Sequence, residues 1–359
     1  MVKLKGTARE VGKLFAEVAE KSISELAVSF KPPADFRERL NKLVEIVEDV
    51  APHWLEEGEA ICQTVGIDFQ FFLAYNLPSV KEGCTSFIAL TTQDGFPILH
   101  KNRDFAIEKQ AFFIKKIGDF YKFIGGASHL DMGVAYFLNE AGLAGACNTG
   151  SYCGLNPSSG LLDRHILRLI AERASDKKEA LELVKEIQGK GYLSTEGEGR
   201  GFILLLLDKE GGMVIEYTPK ELSWEEAKEG VLIRSNCFLL LNNEKEDLSS
   251  QHRLQRAQQI LGGKKMLTLQ DIWEAAKDRE GSYPICNKHT VSAFTVTLSP
   301  LIPSLSLTFA FPGPPDRAIP FPMALSSEET PEVLLKGDYW VNPTEEEDFD
   351  GKEDNPISS

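Results

Sequence analysis

Gly83-Cys84-Thr85-Ser86-Phe87-Ile88-Ala89, a turn at Gln93-Asp94-Gly95, and then Lys101-Asn102-Arg103-Asp104 form the stretch on which the reading of this chain depends. Thr85 to Thr91 and Pro97 to His100 flank the turn and read as a hairpin of two strands. The hairpin returns the carboxylate of Asp104 to the neighbourhood of Cys84. Cutting the Gly83–Cys84 bond would leave Cys84 with a thiol and a free α-amine on one residue. An α-amine titrates near neutrality, with a pKa of ~8, and can take the thiol proton, so no separate histidine base is required. Asp104 would hold that amine and bias its charge. The bland alternative is a buried, inert strand cysteine, the commoner fate of a free Cys.

Upstream of this hairpin, residues 7 to 83 read as mostly helical. Val11, Leu14, Phe15, Val18 and Ala19 recur at helical spacing, as do Leu40, Leu43, Val44, Ile46 and Val47 after the Pro32-Pro33 break. Further helices are predicted over Pro52 to Val65 and Asp68 to Leu77. Downstream the texture becomes strand-rich: Phe112 to Ile117, Tyr121 to Ile124, Gly133 to Leu138 and Leu143 to Asn148. A helical pair follows at Gly160 to Ala174 and Lys178 to Ile187. Strands return at Gly201 to Leu207, Met213 to Tyr217 and Val231 to Ser235. A second helical pair, Ser250 to Leu261 and Leu269 to Lys277, precedes strands at Ala293 to Leu298 and Ser304 to Phe309. Hairpin-rich strand blocks with segregated helix pairs predict an α+β layered sandwich. The leader meets the strand block at Gly83–Cys84, as expected of a pro-segment boundary. The division is therefore a helical pro-segment over 1–83, a catalytic domain over 84–340, and an acidic tail over 341–359.

The 359 residues carry a formal net charge of −15, which argues against nucleic-acid or anionic-membrane partners. Much of the acidity lies in the tail, where Glu345, Glu346, Glu347, Asp348, Asp350, Glu353 and Asp354 read as a solvated, disordered run. The start lacks the apolar core of a signal peptide, and the run Phe202 to Leu207 is too short to cross a bilayer. Six cysteines without a CxxC pair or framework spacing point to a thiol-reduced, cytoplasmic protein and give no zinc site. No metal or cofactor is implied. Gly197-Glu198-Gly199-Arg200-Gly201 precedes a strand rather than a helix and lacks Lys-Ser/Thr, so it is not a phosphate loop. His252 falls mid-helix and His289 in a polar turn; Cys237 and Cys286 are expected to pack in strands.

Acyl chemistry needs donors for an oxyanion, and asparagines at strand ends supply them. Asn148 and Asn236 are candidates, with strand-capping turn asparagines as the bland alternative. A resemblance bears on these residues. Gly6-Thr7-Ala8-Arg9-Glu10-Val11-Gly12, Gly83-Cys84-Thr85, Asn102-Arg103-Asp104-Phe105 and Asn139-Glu140-Ala141-Gly142-Leu143 with Asn148 stand in order. Ser235-Asn236-Cys237-Phe238-Leu239-Leu240, Gln251-His252-Arg253-Leu254-Gln255-Arg256 and Tyr283-Pro284-Ile285-Cys286 follow. Over nearly its full length, excluding the acidic tail, the chain resembles the acyl-coenzyme A:6-aminopenicillanic-acid acyltransferase family of N-terminal-nucleophile hydrolases. More distant likenesses are choloylglycine hydrolases, penicillin V acylase and acid ceramidase.

The resemblance implies a four-layer αββα sandwich, self-cleavage between Gly83 and Cys84, and Cys84 as nucleophile with Asp104 as partner of its α-amine. It implies Asn236 as a side-chain oxyanion donor and Asn148 as a second contributor through its backbone N–H. Arg253 falls where relatives keep an arginine near the nucleophile; its bland reading is a solvated helix-face cation. Arg103 reads equally as a surface ion pair, and Lys101 stands where choloylglycine hydrolases have an arginine. One departure matters. The family's penicillin acyltransferases carry a Ser-Arg pair after the Ile-Cys element, and this chain reads Asn287-Lys288-His289-Thr290-Val291-Ser292. That points away from a penicillin nucleus or acyl-coenzyme A and toward the hydrolases. The expected activity is an amidohydrolase or acyltransferase on linear small-molecule amides through an acyl-thioester, with the cleaved pro-segment as a retained partner. An acyl-coenzyme A-dependent N-acyltransferase, a non-catalytic binding protein on the same scaffold, a papain-like thiol enzyme and a homo-oligomer all remain open.

Overall fold

The computed structural model describes residues 4–31, 36–77, 83–105, 110–155, 159–195, 199–242, 245 and 247–326. The leader holds β1 (Leu4–Gly6), α1 (Ala8–Ser29), α2 (Phe36–Val50), α3 (Pro52–Val65) and α4 (Phe69–Tyr75). Six strands follow: β2 (Gly83–Ala89), β3 (Ile98–Asp104), β4 (Gln110–Ile117), β5 (Phe123–Ser128), β6 (Tyr136–Asn139) and β7 (Ala144–Tyr152). Then come α5 (Asp163–Arg173), α6 (Lys177–Gly189), β8 (Arg200–Asp208), β9 (Gly211–Tyr217), β10 (Leu222–Ala227) and β11 (Val231–Arg234). The rest comprises α7 (Leu248–Leu261), α8 (Leu269–Lys277), β12 (Thr290–Thr297), β13 (Leu307–Phe311) and β14 (Phe321–Ala324).

Local chemistry starts and stops these helices. Thr7 and Glu10 form a capping box at α1, with Thr7 N–H donating to Glu10 Oε2 at 2.8 Å. Pro52 opens α3, where its missing N–H costs nothing, and Gly66 ends it at φ +77°. Asp176 caps α6 and Thr268 caps α8.

Two sheets stack in the order that a four-layer sandwich requires. One has eight strands in the order β1-β4-β5-β6-β7-β8-β9-β10, the other six in the order β11-β2-β3-β12-β13-β14. β8 explains the stacking. Phe202, Leu204 and Leu206 enter the core beneath the leader helices with α5 and α6, whereas Ile203, Leu205 and Leu207 enter the core between the sheets. A strand apolar on both faces must be covered on both. In the second sheet Ile88 and Leu99 face the first sheet, and Phe87, Ala89 and Ile98 face Leu254, Ala257, Ile272 and Ala275 of α7 and α8. The layers are therefore helix, sheet, sheet, helix: a four-layer α+β sandwich.

The leader is built into this body. β1 adds to the eight-stranded sheet in parallel with β4, Leu4 opposite Lys115. Gly12 lets α1 cross α3 closely, since a methyl group there would meet Glu57 O at 2.3 Å. Beneath that crossing lies a buried charge network. Glu57 of α3 accepts from Lys115 of β4 and Arg168 of α5, each at 2.5 Å. Arg168 also pairs with Glu172 at 2.8 Å, and Glu172 accepts from Trp54 Nε1 and faces His53 Nε2, both at 3.0 Å. The leader thus supplies Glu57, Trp54 and His53, and the body supplies Lys115, Arg168 and Glu172. Burial pushes both carboxyls up, but Arg168, with Lys115 at Glu57 and His53 at Glu172, outweighs it. Glu57 is lowered, and Glu172 is held at about 2.

The sequence reading needs correction at the sheet margins. β1, β10 and β14 were not anticipated, and all three are edge strands. Leu222 to Ala227 carries two successive glutamates, and Phe321 to Ala324 contains Pro322, so neither shows the alternation of a covered strand. Pro303–Leu305 forms a 3-10 turn, which delays the last predicted strand to Leu307. Cys237 and Cys286 are buried in loops rather than in strands. Among the described residues no helix is long and apolar enough to cross a membrane. Pro32-Pro33, Gly197-Glu198 and the tail 341–359 lie outside the described residues.

Removing one partner from a buried ion network leaves an uncompensated charge, which costs about 3–5 kcal/mol, whereas an exposed pair contributes about 0–1 kcal/mol. Urea unfolding should therefore place Glu57→Ala far below the wild type. Glu59→Ala, which breaks the exposed Arg9–Glu59 pair at 3.1 Å, should leave the midpoint nearly unchanged. The pH dependence follows from Glu172, whose folded carboxyl at about 2 lies below its ordinary 4.5. Its stabilisation is complete above 4.5 and is lost as pH falls toward 2. Glu172→Gln should be less stable at neutral pH and show a shallower decline across that acid interval in urea titrations.

Candidate active site

Cys84 is the second residue of β2 and is fully buried. Side chains alternate along a strand, so Cys84 and Ser86 share the face of Ile88, toward the other sheet, while Thr85 and Phe87 face the helices. Contacts bear this out: Ser86 Oγ reaches Asn148 Oδ1 on β7 at 2.8 Å, and Thr85 Oγ1 accepts from Arg253 Nη1 on α7 at 2.8 Å. The β2–β3 register sets Gly83 opposite Asp104 and Cys84 opposite Arg103. A methyl group on Gly83 would sit 3.2 Å from Asp104 Oδ2, so the carboxyl lies against the residue preceding the cysteine.

Asn236 stands just past β11 and clamps the cysteine backbone. Its Oδ1 accepts from the Cys84 N–H at 2.9 Å and from Arg253 Nη2 at 2.7 Å, and its Nδ2 donates to Thr149 O at 2.7 Å. Two donors on one side and a carbonyl on the other fix the orientation of the amide. Arg253 Nη1 also donates to the Cys84 carbonyl oxygen. The helix-face reading of Arg253 therefore fails: the side chain is buried and joins β2, Asn236 and α7. Arg103 is likewise no surface group. It is 1% exposed, donates to Gln110 Oε1 at 2.6 Å, lies 3.9 Å from Asp131 and stacks over Phe105.

Asn148 departs from expectation in another way. It lies within β7, which runs on to Tyr152, rather than at a strand end. Its side chain is committed to Ser86 Oγ and, through Nδ2, to the carbonyls of Arg234 at 3.3 Å and Ser235 at 3.0 Å. It bridges the two sheets directly behind the cysteine. Lys101 Nζ, also buried, donates to the Cys147 carbonyl one residue away. Tyr136 shares this inter-sheet space, its hydroxyl 3.0 Å from Ser292 Oγ. Burial pushes that phenol up to about 12, against the pull of Ser292, Arg103 and Lys101, while Cys84 adds to the rise.

Several residues were not singled out by sequence reading. Asp104 accepts from Asn287 Nδ2 and Thr290 Oγ1, both at 2.6 Å. The segment that lacks a Ser-Arg pair thus carries the two groups that hold Asp104. Burial raises the Asp104 carboxyl, opposed by Arg253, by these two hydrogen bonds and by His289. Ser250 Oγ accepts from the Asn236 N–H at 2.7 Å. Beyond Asn236, Glu216 of β9 gathers the amides of Leu239, Leu240 and Leu241 at 3.0, 2.8 and 3.2 Å and the Nε of Arg234 at 2.8 Å. One carboxylate on an apolar strand fixes the loop on both sides of Asn236. Its sequence signal was available, because an acid amid Met213-Val214-Ile215 needs buried partners. His252 lies against Tyr283, with ring centroids 5.4 Å apart, and the His289 N–H donates to Asn287 Oδ1 at 2.8 Å.

No curated protein matches the sequence. Among solved structures, the Caenorhabditis elegans ortholog of N-acylethanolamine-hydrolyzing acid amidase is 16% identical, with 60% of this chain and 92% of that chain covered and a TM-score of 0.43. Penicillin V acylase from Agrobacterium tumefaciens is 12% identical, with 68% and 87% covered and a TM-score of 0.45. Conjugated bile acid hydrolase from Clostridium perfringens is 14% identical, with 68% and 93% covered and a TM-score of 0.46. A family profile described as acyl-coenzyme A:6-aminopenicillanic acid acyl-transferase matches residues 90–310, more than half of the sequence. The chain belongs to this family, and is an enzyme of the amidohydrolase or acyltransferase class.

Proposed function

We propose that the chain is a self-processing cysteine amidohydrolase that cleaves linear small-molecule amides through an acyl-thioester on Cys84. The observation that carries this reading is the convergence on one residue of Asp104 beside Gly83, Asn236 on the Cys84 nitrogen and Arg253 on the Cys84 carbonyl. An inert core cysteine has no need of a buried carboxylate, a buried guanidinium and an oriented amide around its backbone.

In processing, Cys84 Sγ attacks the Gly83 carbonyl carbon. The C–N bond breaks as the Cys84 nitrogen takes up the thiol proton, and the Gly83 acyl group moves to sulfur. Water then adds, the C–S bond breaks, Gly83 leaves as a carboxylate and the thiol regains a proton. The new α-amine remains within reach of Asn236 Oδ1 and Asp104. It then works as the base: Sγ attacks the substrate carbonyl, the amine carries the thiol proton to the leaving nitrogen, and water releases the acyl group. Asn236, through the Nδ2 hydrogen not given to Thr149 O, and Asn148 stabilise the oxyanion in this reading. Residues 1–83 and 84–359 stay joined, because β1 and the Glu57 network bind the leader to the body. Asn287 and Thr290, in the segment where the acyltransferases carry Ser-Arg, favour water over a penicillin-nucleus amine as acyl acceptor and a linear amide over acyl-coenzyme A as acyl donor.

Wild-type protein should run as two chains on a denaturing gel and as one species under native conditions, with Cys84 as the first residue of the larger chain. Cys84→Ala should remain a single full-length chain; two fragments from that variant would refute self-processing. Removing an oxyanion donor costs about 100-fold or more in turnover. Asn236→Ala should accordingly keep its circular dichroism spectrum and lose about two orders of magnitude in kcat; unchanged kcat would remove Asn236 from the mechanism.

A further inference from the structure

Asp104 is held by a turn whose donors have one direction in which to point. Residues 287–290 close on themselves: Thr290 N–H donates to Asn287 O at 3.1 Å, and His289 N–H donates to Asn287 Oδ1 at 2.8 Å. With its oxygen engaged, the Asn287 amide can offer only Nδ2 to Asp104 Oδ2, at 2.6 Å. Thr290 Oγ1 accepts from Asn287 N–H at 2.9 Å, which leaves its single proton for Asp104 Oδ1, at 2.6 Å. Both carboxyl oxygens thus meet donors, the arrangement that suits a charged carboxylate.

Thr290 reaches Asp104 because β12 is irregular at its start. Thr290 pairs with Asp104 and Ser292 with Arg103, so two steps along β12 match one step along β3. In a regular strand Thr290 and Ser292 would share a face. Ser292 faces the other sheet, its Oγ 3.0 Å from the Tyr136 hydroxyl. The bulge, with Val291 as its extra residue, turns Thr290 to the opposite face, where Asp104 lies. The approach to the turn is tied to the strand of Asp104 as well. Asn102 Nδ2 donates to Ala276 O at 2.8 Å and to Ile285 O at 3.3 Å, and its Oδ1 accepts from His100 Nε2 at 2.8 Å.

We propose that Thr290, aimed by the bulge at Val291, is a positioning residue that with Asn287 holds the Asp104 carboxylate in place for the Cys84 α-amine; this rests on the amidohydrolase reading above. In the intact chain burial raises the Asp104 carboxyl above its ordinary 3.8, and Arg253 of α7, Thr290, Asn287 and His289 oppose the rise. Removing a donor raises it further, and a hydrogen bond to a charged group is worth roughly 1–2 pKa units. Asp104 and the α-amine titrate as a pair, so the apparent values of the pair can only move upward. Thr290→Val keeps the shape of the side chain and drops the hydroxyl. In the processed enzyme it should move the acid limb of kcat/KM for octanoyl-p-nitroanilide up by about one unit, and Thr290→Ser should restore it.

Urea unfolding of the Cys84→Ala chain, which has no α-amine, isolates the carboxylate. With its folded pKa raised, Asp104 costs stability once it ionises, and Thr290→Val enlarges that cost. The penalty for adding Thr290→Val to this chain should therefore widen as pH rises from about 4 to about 8. A hydroxyl that served packing alone would give the same penalty at every pH. Should Thr290→Val not fold, Asn287→Ala, at the half-buried end of the turn, removes the other donor and supplies the same test. A penalty independent of pH, an unmoved acid limb in the folded variant, or a Thr290→Ser that behaves like Thr290→Val would each overturn the inference. A widening penalty in a chain that neither processes itself nor cleaves the probe would keep the hold on Asp104 and discard the amidohydrolase reading.

Discussion

The period-two alternation of β2 is the constraint on which the site depends. The strand lies between two cores, with Ile88 in the one between the sheets and Phe87 and Ala89 in the one beneath α7 and α8. Its phase is fixed by apolar burial on both faces, and a slip of one residue would exchange the faces of every side chain. That phase aims Cys84 and Ser86 at the eight-stranded sheet and Thr85 at Arg253. It also sets Gly83 against Asp104 through the pairing with β3. Hydrophobic packing at one end of the strand therefore determines the chemistry available at the other.

Polar groups in such a sandwich must be satisfied by one another, because an unpaired buried polar group costs a few kcal/mol. Many groups around Cys84 pair in this way: Asn236 with Arg253, Thr149 and Ser250; Asp104 with Asn287 and Thr290; Glu216 with Arg234 and three successive amides. Groups held in this way cannot relax when charge develops nearby, which is the requirement for electrostatic preorganisation. The leader follows the same logic on the far side of the eight-stranded sheet, where Glu57 has no place to go but between Lys115 and Arg168.

How much of this was legible varied with distance along the chain. α3 and α8 stand where periodicity and caps put them, Pro52–Val65 and Leu269–Lys277, because their signals are carried by neighbouring residues. The edge strands β1, β10 and β14 escaped notice, since an edge strand with one partner need not alternate. Asn148 reads as a strand end, although β7 continues through Thr149, which β8 pairs, and past an irregularity at Gly150 and Ser151 to Tyr152. The burial of Arg253 and Arg103 was not legible, because a helix-face or strand arginine looks the same in sequence whether it meets water or a carbonyl.

The amino-acid sequence by itself determined the local part of the site: a thiol preceded by glycine, and a hairpin short enough to return Asp104 beside it. Turn chemistry and strand alternation specify such contacts within about twenty residues, and neither needs the remainder of the molecule. Tertiary structure alone decided the partners of the Cys84 backbone and of the Asp104 carboxylate. Asn236, Arg253, Asn287 and Thr290 arrive from 152 to 186 residues away along the chain. Their meeting depends on the stacking of two sheets and the docking of α7, where burial of apolar surface selects the arrangement and the polar groups find partners only within it.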